Sequence, residues 1–278
     1  MTEVDLSKKS QLIPFLKKHG FQIRKKWGQN FLVSSKAADK IITASLPAKS
    51  FLEIGCGPGI LTQKLSQYAL TIAIDIDERA EHAIKEAAPK AQYIHADILK
   101  IDLKRIISQI PLPITVVSNL PYYITTPILE KLLTIRDKID KAILTMQKEV
   151  ADRISALASN PDRGAISVIY QWYFDIQTVA TIPKSCFYPE PKVDSKTLLF
   201  KTKKNTREIN TEMKELIYAG FSAPRKTLLN NLSKHFDINK EKLTEVFDEI
   251  EIKPSVRAHQ LHQDDWENLS NQARSLLH

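Results

Sequence analysis

Ser118-Asn119-Leu120-Pro121-Tyr122-Tyr123 is the stretch of this chain whose residue types point most directly to chemistry. An Asn Oδ1 and an adjacent backbone carbonyl, that of Leu120 or Pro121, can both accept hydrogen bonds from an exocyclic amine. Pro121 fixes its own φ and stiffens the turn that aims the carbonyl. The Tyr122 ring offers a face on which a planar base taken out of its stack can rest. Two acceptors that hold an amine while it pyramidalises turn its lone pair toward an electrophile. The work is then positioning and electrostatics, and neither a metal nor a general base is required. Asn119, Pro121 and Tyr122 are the candidate catalytic residues, and Tyr123 is expected to point elsewhere and pack in the core. The same tetrapeptide also reads as a proline turn whose Asn caps the next helix, and both readings stand at this point.

A second group of residues can hold another reactant. Glu53-Ile54-Gly55-Cys56-Gly57-Pro58-Gly59 follows an apolar run and opens a helix, so its glycines allow close approach of a ligand to backbone. The dinucleotide fingerprint G-x-G-x-x-G fails, because Ile60 follows Gly59 and the spacing is G-x-G-x-G. Asp75 lies 20 residues beyond Gly55 at the end of the next apolar run, where a carboxylate can accept from both hydroxyls of a ribose. Asp97 ends a third run and can accept from an adenine amino group, or else cap a helix. Asp77 reads as the cap of a helix starting at Glu78. With no Lys-Ser/Thr pair for phosphates, these features describe a pocket for an adenosine-containing ligand rather than a nucleoside triphosphate. Cys56 reads as a small filler.

Those residues need a frame. Short apolar runs at 51–54, 70–74, 92–95, 114–117 and 142–146 alternate with helical patterns at 58–68, 78–88, 101–109 and 124–135. This rhythm predicts an α/β fold, a doubly wound, mostly parallel sheet. Helices are expected at 147–158 and near 164–172, and strands at about 173–181 and 195–201 as an antiparallel edge. The polar stretch 201–207 looks like a linker. Beyond it the pattern is helical only: Met213, Leu216, Ile217 and Phe221 share one spacing, Leu228, Leu229, Leu232 and Phe236 another. Asn239 can cap a helix through about 250, and Asp264 and Asp265 open a last one ending near Leu277. The division is a catalytic domain over 1–204, with a basic lead-in, and a small all-α domain over 205–278.

Taken together, the glycine loop, the two strand-end acids and Asn119-Leu120-Pro121-Tyr122 resemble class I S-adenosylmethionine-dependent methyltransferases with a Rossmann-like fold that act on an exocyclic nitrogen. More closely, the chain is similar to the bacterial small-subunit (16S) rRNA adenine-N6,N6-dimethyltransferases. The resemblance runs along almost the whole chain. It is carried by Lys26-Trp27-Gly28-Gln29-Asn30-Phe31-Leu32, the glycine loop, Asn119-Leu120-Pro121-Tyr122-Tyr123-Ile124, Gln147-Lys148-Glu149-Val150-Ala151, Phe187-Tyr188-Pro189-Glu190-Pro191-Lys192-Val193-Asp194-Ser195 and Arg225-Lys226-Thr227-Leu228. It implies S-adenosylmethionine as methyl donor. Asn30 and Leu32 would meet its methionine end, Gly55 line it, Asp75 hold the ribose, Asp97 face the adenine, and Asn119 touch both donor and target. It implies two adjacent adenosines of the 3′-terminal hairpin loop as substrate, within an assembling 30S particle. Family members often carry Glu at the position of Asp75, and their loop often lacks the cysteine. Alternatives are a large-subunit rRNA adenine methyltransferase of the antibiotic-resistance type and a non-catalytic ribosome-assembly factor.

Composition agrees with that class without selecting it. Forty Lys and Arg against 32 acids give a net charge of +8, a moderate bias that suits nucleic acid. Lys25, Lys26, Lys148, Arg153, Arg163, Lys192, Arg225 and Lys226 are candidate phosphate contacts, and Pro224-Arg225-Lys226-Thr227 is expected to open a helix. Phe187 and Tyr188 either wall the pocket or pack as ordinary loop residues. Two distant cysteines build neither a disulfide framework nor a zinc site, and no apolar run reaches the length of a bilayer span. A cytoplasmic monomer without a membrane partner is expected.

Overall fold

A computed structural model of the chain describes residues 4–21, 28–204 and 206–273. By contacts the chain forms two compact units. One holds the residues up to Ala151 together with Asp175–Thr202, and the other holds Asp152–Phe174 together with the residues from Lys203 on.

The first unit opens with α1 (Lys9–Lys18), the short strand β1 (Phe31–Leu32) and α2 (Ser35–Ser45). Strands and helices then alternate: β2 (Ser50–Ile54), α3 (Ile60–Leu65), β3 (Leu70–Asp75), α4 (Ala80–Ala87), β4 (Gln92–His95), α5 (Leu103–Ile107), β5 (Ile114–Asn119), α6 (Thr125–Leu133), β6 (Ile139–Gln147) and α7 (Lys148–Ser155). The strands β7 (Phe174–Ile182), β8 (Phe187–Tyr188) and β9 (Ser195–Thr202) follow, with α8 (Ala165–Tyr173) between α7 and β7.

Seven strands form one sheet in the order β4-β3-β2-β5-β6-β9-β7. From β4 to β6 every pairing is parallel, and β9 runs antiparallel to β6. β2 is buried at all five positions, Ser50 and Glu53 included, as a central strand covered on both faces must be. The chain winds from β2 outward to β4, then returns to lay β5 on the other side of β2. That reversal makes a crevice at the carboxyl ends of β2 and β5, where open α/β sheets bind ligands. Phe51, Leu61, Leu65, Val117, Ile143 and Phe187 share one apolar cluster with Leu32 and Ile41, while Phe15, Phe21, Phe31, Cys56, Ile60 and Ile84 share another.

Several helices are shorter than the sequence pattern predicts. α3 waits until Ile60, because Gly55, Gly57 and Gly59 all take positive φ. α4 starts at Ala80 rather than Glu78, since Asp77 spends a carboxylate oxygen on the Arg79 backbone N–H in a tight turn. Asp97 caps no helix: its Oδ1 accepts from Leu99 N at 2.9 Å, and α5 is capped by Asp102.

The second unit contains α8, α9 (Thr211–Gly220), α10 (Leu228–Phe236), α11 (Lys240–Glu249) and α12 (Gln263–Gln272). Side chains of Asn210, Thr227 and Asn239 cap α9, α10 and α11. Residues 274–278, the expected end of the last helix, lie outside the described residues. The stretch that reads as a linker is tied down: Lys203 N bonds Tyr173 O, Trp172 Nε1 donates to Arg207 O at 2.7 Å, and Tyr173 Oη accepts from Ile209 N at 2.8 Å. Polarity of side chains says nothing about these backbone bonds. Fully buried Leu228, Leu232, Phe247, Trp266 and Leu269 make the core.

Gly220 closes α9 against Trp266. A Cβ there would stand 2.7 Å from Trp266 Cη2 and 2.8 Å from Leu228 Cδ1. Replacing a helical glycine by alanine ordinarily stabilises by about 1 kcal/mol, but overpacking a filled core costs about 1–3 kcal/mol. With contacts this short the packing term wins, so Gly220→Ala should lower stability by up to roughly 2 kcal/mol, the upper end of the difference between those effects. Urea denaturation with an unchanged or raised midpoint would contradict this.

Candidate active site

The crevice is a cleft of about 450 Å³ in the first unit, a size suited to a small ligand. Five stretches bring the polar groups to it: the segment before β1, the glycine loop after β2, the end of β3, the turn after β4 and the turn after β5. Gly28, Asn30, Gly55, Asp75, Asp97, Asn119, Pro121, Tyr122 and Tyr123 all line it. Ile76, Ile98, Leu99 and Ile128 add apolar surface of the kind a planar heterocycle needs.

Asp75 ends β3 and ties the glycine loop down. Its Oδ2 accepts from Gly57 N at 2.7 Å and its Oδ1 from Asp77 N at 2.9 Å. Each oxygen keeps a further lone pair for a ligand hydroxyl. Burial pushes this carboxyl up, and the backbone N–H groups of Asp77 and Gly57 pull the other way. Asp77 itself is buried against Arg79, and it also takes the Gln29 amide at 3.1 Å. Arg79 in turn donates to Gly20 O and lies 5.1 Å from the centre of the Phe21 ring. Lys25, Lys26 and Trp27 lie outside the described residues.

Asn119 sits at the end of β5. Its Nδ2 donates to Asn30 O at 2.9 Å, and its Oδ1 is buried without a hydrogen-bond partner among the described residues. Only an amide nitrogen can donate to that carbonyl, so the side chain has one orientation and its oxygen is a free acceptor. The Pro121 carbonyl already accepts from Ile124 N and from Thr125 Oγ1, both at 3.2 Å. The Leu120 carbonyl is therefore the better second acceptor of the two that the sequence leaves open. Asn119 caps no helix; it closes a strand.

Tyr122 is half-buried, and its hydroxyl shares a 2.6 Å hydrogen bond with Ser195 Oγ. Sequence reasoning missed Ser195 as a partner, although it stands in a motif block; a contact across 73 residues leaves no local signal. Tyr123 departs from expectation. It does not pack in the core but is 53% exposed at the cleft, its ring beside Gly28. Tyr122 and Tyr123 lie in a 3₁₀ turn, Tyr122–Ile124, where successive side chains fan apart rather than alternate.

Leu32 also departs. It is buried in the core and does not line the cleft. Its strand β1 pairs antiparallel with β8, Phe31 facing Tyr188 and Leu32 facing Phe187. Phe187 and Tyr188 thus brace the segment that carries Asn30 and are absent from the cleft lining. Among the phosphate candidates, Arg163 is buried with its guanidinium on Leu261 O, so it offers no surface charge. Lys192, Arg225 and Lys226 are exposed. The last two precede the cap Thr227 and stand in a turn rather than in the helix. Cys56 is buried, and its thiol is raised well above its ordinary range by burial and by the Asp75 and Glu53 carboxylates.

The sheet order, the cleft at its reversal and the paired strand-end acids define a class I methyltransferase, the fold that takes its methyl group from S-adenosylmethionine. The cleft fits that donor: carboxylates for hydroxyls, apolar walls for the base, and an orphaned buried amide oxygen where a polar reactant is needed. The chain belongs to the ribosomal RNA adenine dimethylase family, whose model matches residues 20–274. A relative in Geobacillus sp. (strain WCH70), called ribosomal RNA small subunit methyltransferase A, is 36% identical over 98% of this chain and 99% of its own. A protein of the same name in Bacillus thuringiensis (strain Al Hakam) is 36% identical over 96% and 97%. Among solved structures, a dimethyladenosine transferase from Plasmodium falciparum is 26% identical, with a TM-score of 0.73 over 88% of this chain and 98% of its own. The 23S rRNA methyltransferase ErmE shares the fold at a TM-score of 0.64, over 87% and 99%, with 22% identity.

Glu53 yields a pH test. It is buried at the end of β2, accepts from Thr62 Oγ1, and burial raises its carboxyl from 4.5 to about 8. Its contribution to stability is fully present below pH 4.5 and is lost as pH rises through about 8, because over that window unfolding releases its proton. Relative to the parent, Glu53→Gln should therefore gain stability between pH 5 and pH 8, at no more than about 1.4 kcal/mol per pH unit. Denaturation midpoints that keep a constant separation across that range would refute the burial argument.

Proposed function

We propose that the protein transfers methyl groups from S-adenosylmethionine to N6 of adenosine in small-subunit ribosomal RNA. The names of the relatives support the RNA class, and the family's description supports two methyl groups per base. The substrate is two adjacent adenosines of the 3′-terminal hairpin loop, presented to a cytoplasmic monomer by an assembling 30S particle. The observation that carries the reading is the Asn119 amide, fixed by Asn30 O with its Oδ1 buried and without a partner among the described residues.

The donor supplies an electrophilic methyl group on a sulfonium. Everything else falls to residues of the chain. Asp75 and Asp97 accept from the donor's hydroxyl and amino groups, and the backbone at Gly55 admits it closely. Asn119 Oδ1 and the Leu120 carbonyl would accept hydrogen bonds from the two N6–H groups, and in the second transfer one of them would hold the single N–H that remains. Each N6–C bond forms as the methyl–sulfur bond breaks, the thioether leaves, and the surplus N6 proton goes to water. Adenine N6 is a poor nucleophile because its lone pair is delocalised into the ring. Holding both protons out of the ring plane frees that pair, and a preorganised acceptor needs no reorganisation at the moment of transfer. Pro121 sets the angle of the turn. Tyr122, its hydroxyl anchored on Ser195, presents its ring to the extruded base. Lys192, Arg225 and Lys226 serve phosphates, which supply affinity without touching the reaction.

Mass spectrometry of adenosine from small-subunit rRNA, with and without the gene, tests the substrate. Loss of dimethyladenosine on deletion is expected, and loss from large-subunit rRNA alone would favour the antibiotic-resistance type of enzyme. Asn119→Ala should lower kcat about a hundredfold or more, the range for one preorganised group at a reacting centre, with RNA affinity nearly unchanged. Near-normal turnover would remove its role. Tyr122→Phe loses the Ser195 hydrogen bond but keeps the ring and should stay within a few-fold of normal. Tyr122→Ala should lose about tenfold to a hundredfold in kcat/KM, as stacking at about 1–3 kcal/mol implies. Equal loss in both, by single-turnover assay, would assign the chemistry to the hydroxyl.

A further inference from the structure

Two neighbouring tyrosines line the cleft, and the proposed reaction uses only one. Tyr122 is tethered through its hydroxyl. Tyr123 has no hydrogen-bond partner among the described residues, and it leaves an aromatic ring 53% exposed at the cleft mouth. That ring reaches across the mouth. Its Cδ1 lies 3.4 Å from where a Cβ of Gly28 would stand. The turn after β5 therefore meets the segment before β1 through this side chain, and Gly28, at φ +57°, leaves the ring its room.

The position of the ring along the cleft is set by its neighbours. Burial raises the Tyr123 phenol, and the Asp75 and Asp97 carboxylates raise it further, so both acids lie within electrostatic reach of it. Those acids mark the nucleoside end. Ile98, Leu99 and Ile128 line the same cleft. An adenine there has aliphatic groups for one set of contacts and needs a second face. A half-exposed ring without a tether is free to provide it.

We propose that Tyr123 is an additional binding residue for the adenosyl half of the methyl donor, its ring presenting an aromatic face to the adenine. The inference rests on the donor assignment made above and adds a residue to it. The two tyrosines then divide the two bases between them, Tyr122 receiving that of the target and Tyr123 that of the donor.

Calorimetry with S-adenosylhomocysteine tests this without any turnover. Tyr123→Ala should weaken binding about tenfold to a hundredfold, as loss of one stacked ring implies. Tyr123→Phe should bind within about threefold of wild type, because the hydroxyl is not needed for stacking. The residue is exposed, so all forms should melt alike without ligand. RNA affinity, measured in parallel at fixed salt, should be the same in all three. Unchanged S-adenosylhomocysteine affinity in Tyr123→Ala, beside a wild type that binds, overturns the inference and leaves the donor assignment intact. Weakened RNA binding with normal S-adenosylhomocysteine binding overturns it too, and gives the ring to the RNA. A wild type that does not bind S-adenosylhomocysteine overturns both.

Discussion

The hydrogen bond from Asn119 Nδ2 to Asn30 O joins residues 89 apart and fixes what the cleft can do. An amide has one donating and one accepting end. Once a carbonyl claims the donating end, the accepting end must face the other way, and here it is buried with nothing among the described residues to satisfy it. An unpartnered buried oxygen costs about 1–3 kcal/mol, a cost that the surrounding fold must hold in place. β5 supplies Asn119 from a central strand with buried neighbours, and the β1–β8 pairing supplies Asn30. Phe31, next in sequence, packs against Gly57, where a Cβ would come within 3.0 Å of its ring. The segment before β1, the glycine loop and the end of β5 are thus positioned against one another by backbone geometry, before any ligand contributes.

The alternation of apolar runs with helical patterns was enough to give the parallel sheet, because each buried strand is a short apolar block bounded by turn residues. The 20-residue spacing from Gly55 to Asp75 likewise follows from one βαβ unit, and both residues reach the cleft. Legibility stopped where position depends on a turn or on a distant partner. Tyr123 looks like a core aromatic from its neighbours, yet a 3₁₀ turn swings it outward. Leu32 looks like a site residue by its motif, yet a two-residue strand turns it inward. Arg163 looks like a surface charge until a carbonyl 98 residues away takes its guanidinium. Asp75 has two oxygens in any reading, but only the structure gives both a backbone N–H to hold.

The block Phe187–Ser195 is a brace. Phe187 and Tyr188 pair with β1, Asp194 accepts from Lys184 N through its side chain and from Lys148 N through its carbonyl, and Ser195 holds the Tyr122 hydroxyl. One short loop therefore secures both the Asn30 segment and the Tyr122 ring. Its role is to fix side chains that themselves lie on turns, which would otherwise sample several orientations. A site on loops gains precision only from such second supports.

Cys56 stands in the glycine loop between two residues that line the cleft, but its side chain packs in the core with Phe31 and Ile60. A thiolate is a strong nucleophile, and a sulfonium methyl is a strong alkylating agent. An enzyme that carries both side by side runs the hazard of alkylating itself. Here the sulfur is buried, and that burial, with the Asp75 carboxylate adding to it, keeps its proton on. The neutral thiol is a weak nucleophile. Burial does most of this, and the carboxylate that closes the glycine loop onto β3 adds to it, so the loop presents no thiolate to a methyl donor.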